Sequence, residues 1–360
     1  LAGNDIASAI TVATSGAVEI DNTHPSISSV TFDSGDYVNN AEDESAIDLV
    51  IVTSGAEDGE TVTATLNGAD YTCDLTTNTC TASITSAALK ALTDGNSYTF
   101  SVAVSDTAGN AATANTDESF TYDVTAPTST TAVESVDGTG NANDADVVTI
   151  TLDPSETVGT PTCTFTDGIG AMEDTTVDYD TTGDDSHTAQ VTVHNDDDDG
   201  AVGFSCTYAD LAGNDIASAI TVATSGAVII DNTHPTMTPV SIVETGDGNA
   251  NDGDDITLSF TASEGIQTPT CTFTSGGQAM ADSSITVTEG DANAWTCVLD
   301  VDNGDTDGSV AFSIAFSDDA GNAGSTAVAV TDGTSVTIDN THPTSTTAVL
   351  SVSGSGNGQD

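Results

Sequence analysis

The phrase Asp231-Asn232-Thr233-His234-Pro235 recurs along this chain at intervals that a string of equal-sized domains would produce. It returns as Asp21-Asn22-Thr23-His24-Pro25 and Asp339-Asn340-Thr341-His342-Pro343, and in altered form as Asp123-Val124-Thr125-Ala126-Pro127. Successive aspartates stand 102, 108 and 108 residues apart (123 − 21, 231 − 123, 339 − 231), which makes three complete units. Proline at the fifth position fixes φ, withholds a ladder donor and holds the preceding residue extended, so each copy reads as a stiff joint between strands. A unit of about 100 residues can bury a core without outside help. The expected domains are residues 23–124, 125–232 and 233–340. Residues 1–22 then belong to the end of a preceding domain and residues 341–360 to the first strand of a following one.

Both flanks support that division. Residues 1–25 match residues 211–235 with one difference, Glu19 against Ile229, and residues 344–360 follow the pattern of 128–144. The sequence reads as a window on a longer array that arose by duplication.

Within a unit the apolar residues alternate along short runs. In the second unit these cover residues 130–136, 146–152, 160–165, 175–179, 188–194, 201–208 and 216–230, separated by Gly, Asn and Asp clusters. About seven short strands with such turns predict an all-β fold, an antiparallel β-sandwich of immunoglobulin-like type, and the repeats predict a tandem, elongated array of them. Period two places Cys163, Phe165, Phe204, Cys206 and Tyr208 on an inward face, and in the third unit Cys271, Phe273, Trp295, Cys297, Leu299, Phe312, Ile314 and Phe316. The first unit differs in detail. Leu92-Thr93-Asp94-Gly95-Asn96-Ser97-Tyr98 has the spacing of a tyrosine corner, and residues 86–92 alone have helical composition, enough for one or two turns.

Charge excludes several classes of function. Fifty-seven acidic residues face one basic residue, Lys90, for a formal charge of −56, so this surface will not bind nucleic acid. Such a charge destabilises a compact state unless salt screens it or cations occupy it. Adaptation to a saline medium and specific cation sites both remain open from composition. No apolar run is long enough to cross a bilayer, and no signal peptide pattern opens the sequence. No nucleophile, base and orienting acid recur together and no phosphate-cradling loop precedes a helix, so an enzyme is not expected. There is also no Asn-x-Ser/Thr sequon.

Six cysteines fall two to each unit: Cys73 and Cys80, Cys163 and Cys206, Cys271 and Cys297. No pair has zinc-type spacing, so disulfides within each unit are expected, with buried free thiols as the alternative. Disulfides imply an oxidising exterior. The first pair would staple a hairpin around residues 74–79. Cys163 and Cys271 are equivalent positions, yet Cys206 aligns with Ile314 and Cys297 with Ala189, so the staple moves between units.

Three features together carry a resemblance: Asp-x-Thr-x-Pro at the joint, Tyr98-x-Phe100-x-Val102 in the first unit, and an Asp-x-Ala-Gly-Asn loop near the end of each unit. The loops are Asp106 to Asn110, Asp210 to Asn214 and Asp318 to Asn322. The chain resembles the bacterial immunoglobulin-like domains of giant cell-surface adhesins and surface-layer-type proteins, over its whole length. The resemblance implies extracellular display and, often, calcium. The disulfides and the near absence of basic residues depart from it.

Sandwich topology then brings three elements to one pole of each domain: the entering joint, the B–C loop and the F–G loop. In the first unit these carry Asp21, Asn22, Glu57, Asp106 and Asn110. In the second they carry Asp123, Thr125, Glu156, Asp210 and Asn214, and in the third Asp231, Asn232, Glu264, Asp318 and Asn322. Each set offers only oxygen ligands, which suits calcium better than magnesium. The same residues would also serve as plain Asx turns. At the far pole, residues 195–200 and 303–308 resemble half a calcium loop. Cys206 and Ile314 stand where an EF-hand has its closing glutamate, so an EF-hand is excluded. These turns and the A–B turns at 140–146 and 248–254 could complete a joint from the upstream side, or be solvated turns. The joint histidines suit a spacer role.

The expected function is a stiff, calcium-stabilised spacer of a surface adhesin. Its partners would be neighbouring domains of the same chain, divalent cations and, if chains assemble, other copies of itself. The alternative is a subunit of an ordered surface lattice, sheath or filament. A carbohydrate-binding module ranks last, because aromatic residues make up only 4% of the chain and most are assigned to cores.

Overall fold

The computed structural model describes residues 20–115, 117–135, 141–181, 186–246 and 248–347, and these form β-strands with one short helix and one 3-10 turn. The readings made above for residues 1–19 and 348–360 lie outside the described residues. Three hydrophobic cores form, one drawn from Phe32 to Tyr122, one from Ala142 to Ile230 and one from Val240 to Ile338.

The third unit shows the architecture plainly. Met237–Glu244, Asp255–Ala262, Ala294–Asp300 and Thr286–Glu289 lie side by side in one antiparallel sheet. Gln278–Ala279, Thr270–Ser275, Gly308–Ala315 and Thr337–Ile338 form the other. Along Asp255–Ala262 the residues Ile256, Leu258, Phe260 and Ala262 are buried while their neighbours are not, the alternation of a strand with one face in the core. In the second unit Ser129–Ser135, Val147–Pro154, His187–Thr192 and Asp178–Thr181 make the first sheet. Thr162–Thr166 pairs with Gly203–Thr207 opposite it. The first unit keeps the plan with smaller sheets, Ser26–Phe32, Ile47–Ser54 and Thr79–Ile84 against Ala69–Asp74, Thr61–Leu66 and Ser101–Ala103. First, second and later strands on one side, with third and sixth on the other, is the immunoglobulin-like sandwich, and the chain is a tandem series of them.

Two local expectations change. The run 216–230 is not one strand: only Ile229–Ile230 belongs to a sheet, and upstream of it Ile220 pairs alone with Cys206. Its Ala, Ser and Thr residues pack weakly, and Gly226 sits at a φ of +77°, where an extended ladder cannot run. The Cys73–Cys80 bond is not a hairpin staple. Cys73 lies on Ala69–Asp74 and Cys80 on Thr79–Ile84, strands of different sheets, so this bond joins the two layers.

Cys271–Cys297 also joins the layers, with Cα atoms 6.5 Å apart, whereas Cys163–Cys206 links directly opposed residues of one sheet, 4.1 Å apart. Tyr98 makes the expected corner, its hydroxyl accepting from the Thr93 N–H at 2.7 Å. The one helix, Ser86–Leu89, is a single turn capped by Thr85, whose hydroxyl accepts from the Ala88 N–H.

Candidate metal centre

Every joint starts from the same local turn. Asp21, Asp123, Asp231 and Asp339 each accept through Oδ1 the N–H of the threonine two residues on, at 2.8, 3.3, 3.2 and 3.1 Å. This Asx turn fixes where the carboxylate stands.

The Asp-x-Ala-Gly-Asn loop closes on itself in a matching way. In the second unit Asp210 accepts from the Asn214 N–H at 2.8 Å and from Asn214 Nδ2 at 2.9 Å. Gly213 takes a φ of +92°, which glycine reaches without steric penalty. Asn214 Nδ2 also donates to the Asp123 carbonyl at 2.8 Å, which ties loop to linker. Asn110 does the same to Asp21 at 3.1 Å and Asn322 to Asp231 at 2.6 Å.

With linker and loop so placed, the carboxylates of Asp123, Glu156 and Asp210 converge, each offering an oxygen within 4.8 Å of the other two. Asp231, Glu264 and Asp318 repeat the arrangement one unit on. Asp210 and Asp318 are buried, and the other four are half-buried. No cation of the chain offsets them: Lys90, its only lysine or arginine, is 2.7 Å from Glu44 and 3.9 Å from Asp43 in the first unit. Burial and mutual repulsion act on the same carboxylates. Burial first, then the neighbouring carboxylates Asp210 and Asp94, raise Asp123 above the ordinary carboxylate range, and burial with Asp123 and Asp210 raises Glu156. Asp231 and Glu264 are raised likewise, by burial and then by Asp318 and Asp199 or by Asp231 and Asp318. Three inward carboxylates with no counter-charge are a donor set of the kind a hard divalent cation takes.

The first joint is different. Asp21, Glu57 and Asp106 are not gathered into such a triad. Glu57 turns instead to the Thr107 N–H at 3.1 Å, and that hydrogen bond lowers its pKa.

The expected amide and hydroxyl ligands serve mainly as hydrogen-bonding clamps. Asn214 Oδ1 accepts from the Asn40 N–H of the preceding unit at 3.0 Å, and its Nδ2 holds the loop. Thr125 Oγ1 donates to Asp94. Asn232 points its Nδ2 at the His194 and Asp197 carbonyls, at 2.9 and 3.0 Å, while its Oδ1 has no hydrogen-bond partner. Asn22 stands exposed.

Sequence reasoning gave the far turns 195–200 and 303–308 two readings, an upstream side of the joint or solvated turns, and left out Asp94 of the first unit. Asp199 of the second unit's far turn accepts from the Asn232 N–H at 2.7 Å and the Thr233 hydroxyl at 2.5 Å. Asp307 holds Asn340 and Thr341 in the same way, at 2.6 and 2.5 Å, and Asp94 holds Val124 and Thr125. The far turns therefore contribute to the joint as acceptors for the linker. These bonds lower the pKa of Asp94 and Asp307, the threonine hydroxyl contributing most in each case. A signal was present: Asp94-Gly95, Asp199-Gly200 and Asp307-Gly308 recur with the repeat. The joint histidines act as props, His24 Nδ1 on the Ala111 carbonyl at 2.8 Å and His234 Nδ1 on that of Ala323 at 2.9 Å.

Comparison with solved structures returns tandem immunoglobulin-like repeats. A fragment of a 1.5-MDa bacterial ice-binding adhesin is 21% identical over 86% of this chain and 96% of its own, with a TM-score of 0.45. A Ca2+-stabilized adhesin with which an Antarctic bacterium binds ice is 21% identical over 84% of this chain and 73% of its own, with a TM-score of 0.44. The I-band fragment I67-I69 from titin is 12% identical over 88% and 99%, with a TM-score of 0.35. The likeness is one of fold. No protein-family model matches the chain, and no curated protein matches it in sequence.

Proposed function

We propose that this chain is a structural repeat region of a bacterial cell-surface adhesin, displayed outside the cell, where it acts as a stiff spacer whose joints are held by divalent cations. The observation that carries the proposal is the pair of carboxylate triads, Asp123 with Glu156 and Asp210, and Asp231 with Glu264 and Asp318, at the two joints flanked by described units on both sides. A cation there ties the linker aspartate to two loops of the downstream domain and so removes the swivel between units. Calcium is the ion favoured, because it accepts six to eight oxygens in flexible geometry and magnesium demands a tight octahedron. Three disulfides suit an oxidising exterior.

Small-angle scattering across a calcium titration, reversed by chelator, tests the proposal. The maximum dimension should rise and its distribution narrow as calcium saturates, with magnesium far less effective at equal concentration. Equal dimensions and equal stiffness with and without divalent ions would refute it.

A further inference from the structure

The first and second units each send a turn forward along the linker that leaves them. In the first unit Tyr37–Val38 pairs in parallel with residues 121 and 122, and the Asp123 N–H donates to the Val38 carbonyl at 3.0 Å, so the chain after Val38 runs beside the linker. Asn141–Ala142 runs beside Ile229–Ile230 in the same sense, with the Asp231 N–H on the Ala142 carbonyl at 2.9 Å. The residue that follows is asparagine in both units, Asn39 and Asn143. Each opens a tight turn, the Asn39 N–H donating to Glu42 Oε2 at 3.2 Å and the Asn143 N–H to Asp146 Oδ2 at 3.0 Å. Asn39 Oδ1 also accepts from the Ala41 and Glu42 N–H groups, both at 3.0 Å. With its oxygen engaged inside the turn, the amide has its Nδ2 donors to offer outward.

That donor meets the downstream Asp-x-Ala-Gly-Asn loop. Asn39 Nδ2 donates to the Ala212 carbonyl at 2.9 Å, and the Asn40 N–H donates to Asn214 Oδ1 at 3.0 Å. The loop is thus held on both sides of Gly213, where an added Cβ would stand 3.2 Å from Asn39 Nδ2. A Cβ on Gly321 would stand 3.3 Å from Asn143 Nδ2, so the same approach is made one joint on. Asn214 is 1% exposed, and its amide has one orientation that satisfies its surroundings. The oxygen faces the Asn40 donor, while Nδ2 faces two acceptors, Asp210 Oδ2 at 2.9 Å and the Asp123 carbonyl at 2.8 Å. Turned over, the amide would set donor against donor and oxygen against oxygen. The Asn214 N–H holds Asp210 Oδ1 at 2.8 Å, so both oxygens of that carboxylate are aimed by Asn214. Asp210 is a member of the triad with Asp123 and Glu156. A continuous hydrogen-bonded path therefore runs from the upstream unit, through Asn214, to a carboxylate of the downstream site.

We propose that the turn opened by Asn39 is a positioning element for the site at Asp123, Glu156 and Asp210, so that the site belongs to two units and is fully formed only when they are in contact. Asn39 and Asn40 touch no triad oxygen and act through Ala212 and Asn214. The turn opened by Asn143 serves the site at Asp231, Glu264 and Asp318 in the same way. Carboxylates that repel one another must be held in place before an ion arrives, and a loop pinned from outside loses less freedom when it binds. The coupling is reciprocal. Whatever factor the contact adds to ion affinity, the ion adds to the stability of the contact. A cation then stiffens the joint by strengthening the contact between units as well as by tying the linker to the downstream domain. The inference rests on the reading of the triads as divalent-cation sites.

Asn39→Ser in the whole chain tests it. Serine keeps an oxygen for the turn's N–H groups, adds no charge and is too short to reach the Ala212 carbonyl. A calcium titration followed by NMR at the Asn214 and Asn322 amides reads the two joints separately in one molecule. Asn39→Ser should weaken calcium at the Asp123 joint by about three- to tenfold, the loss of one hydrogen bond, and leave the response of Asn322 as in the parent. Asn143→Ser should do the reverse. In the parent, calcium should slow hydrogen exchange of the Asn40 N–H by a similar factor, with the core amides of Ile51 and Ile150 unchanged. A turn that served only its own unit would move Ile51 and leave both calcium affinities alone. Parent affinity at Asn214 in Asn39→Ser overturns the inference and leaves the ion sites standing, and so does an equal loss at both joints from either variant. A parent whose Asn214 and Asn322 amides do not respond to calcium overturns the ion sites and the inference with them.

Discussion

Replacing Glu156 by glutamine should change the second unit's stability in opposite directions with and without calcium. Carboxylate oxygens at the outer limit of 4.8 Å repel by about 1 kcal/mol at the dielectric of water and about 3.5 kcal/mol at an effective dielectric of 20. Glu156 belongs to two of the three pairs in its triad, so Glu156→Gln relieves roughly 2 to 7 kcal/mol of repulsion in the ion-free state. The lower end applies, because Asp123 and Glu156 are half-exposed and solvent screens their charges. Salt at 0.1 M removes only part of it, since the screening length of about 10 Å exceeds the spacing. A gain of about 2 kcal/mol raises the midpoint of a domain this size by roughly 10 °C. In saturating calcium the variant has lost an anionic ligand, and its calcium affinity should fall by about tenfold or more. Differential scanning calorimetry at pH 7, once in chelator and once in calcium, reads both limbs. Glu57→Gln is the control: its carboxylate sits outside any triad, so calcium should shift this variant's midpoint as it shifts the parent's. A Glu156→Gln variant less stable than the parent in chelator would refute the argument, because the three carboxylates would then not be repelling one another.

Three further outcomes can be checked on the same protein. In chelator, joint stability should fall as pH rises from about 4 to 7: Asp123, Glu156, Asp231 and Glu264 have raised folded-state pKa values, so the stability they contribute is complete below the unfolded values of about 4 and lost as they ionise. Calcium should flatten that slope, and a chelated protein whose joints tighten toward pH 7 would contradict it. His187 is buried with both ring nitrogens unpartnered, at the position that Trp295 holds in the third unit (295 − 187 = 108), so His187→Phe should stabilise the second unit by about 1–3 kcal/mol in thermal unfolding. Reduction should cost the units differently. Loops of 43, 26 and 7 residues give about 4, 3.5 and 2.4 kcal/mol for Cys163–Cys206, Cys271–Cys297 and Cys73–Cys80, an order that calorimetry after selective Cys→Ala pair replacement would confirm or reverse.

Much of the fold was legible because period-two alternation and turn residues report directly on which face of a strand is buried. Cys163, Phe165, Phe204, Cys206 and Tyr208 are all core residues, as are Cys271, Phe273, Trp295, Cys297, Leu299, Phe312, Ile314 and Phe316. The final strand of the second unit was not legible, since Ala, Ser and Thr at 217–225 alternate without enough apolar area to hold a ladder. The site was legible as a list of acids and not as a geometry. Glu57, Glu156 and Glu264 occupy equivalent loops, and sequence gave no reason for Glu57 to turn to the Thr107 N–H while the other two face inward.

The acids that sequence could not sort are separated in space by what their oxygens face. Asp94 and Asp307 meet threonine hydroxyls and linker N–H groups, which favour the charged form, so these residues work as anions without help. Asp123 and Asp231, in the linkers that Asp94 and Asp199 grip, are held toward the neutral form by burial first and then by the other carboxylates they meet. The joints at Asp123 and Asp231 thus each have an upstream half satisfied by the protein and a downstream half that carries surplus negative charge. Only the downstream half has uncompensated charge for an added cation to offset. Divalent ion would then set how firmly the downstream domain is drawn onto a linker that its upstream neighbour has already fixed, and the upstream clamp of Asp94, Asp199 and Asp307 should keep its hydrogen bonds when that ion is removed.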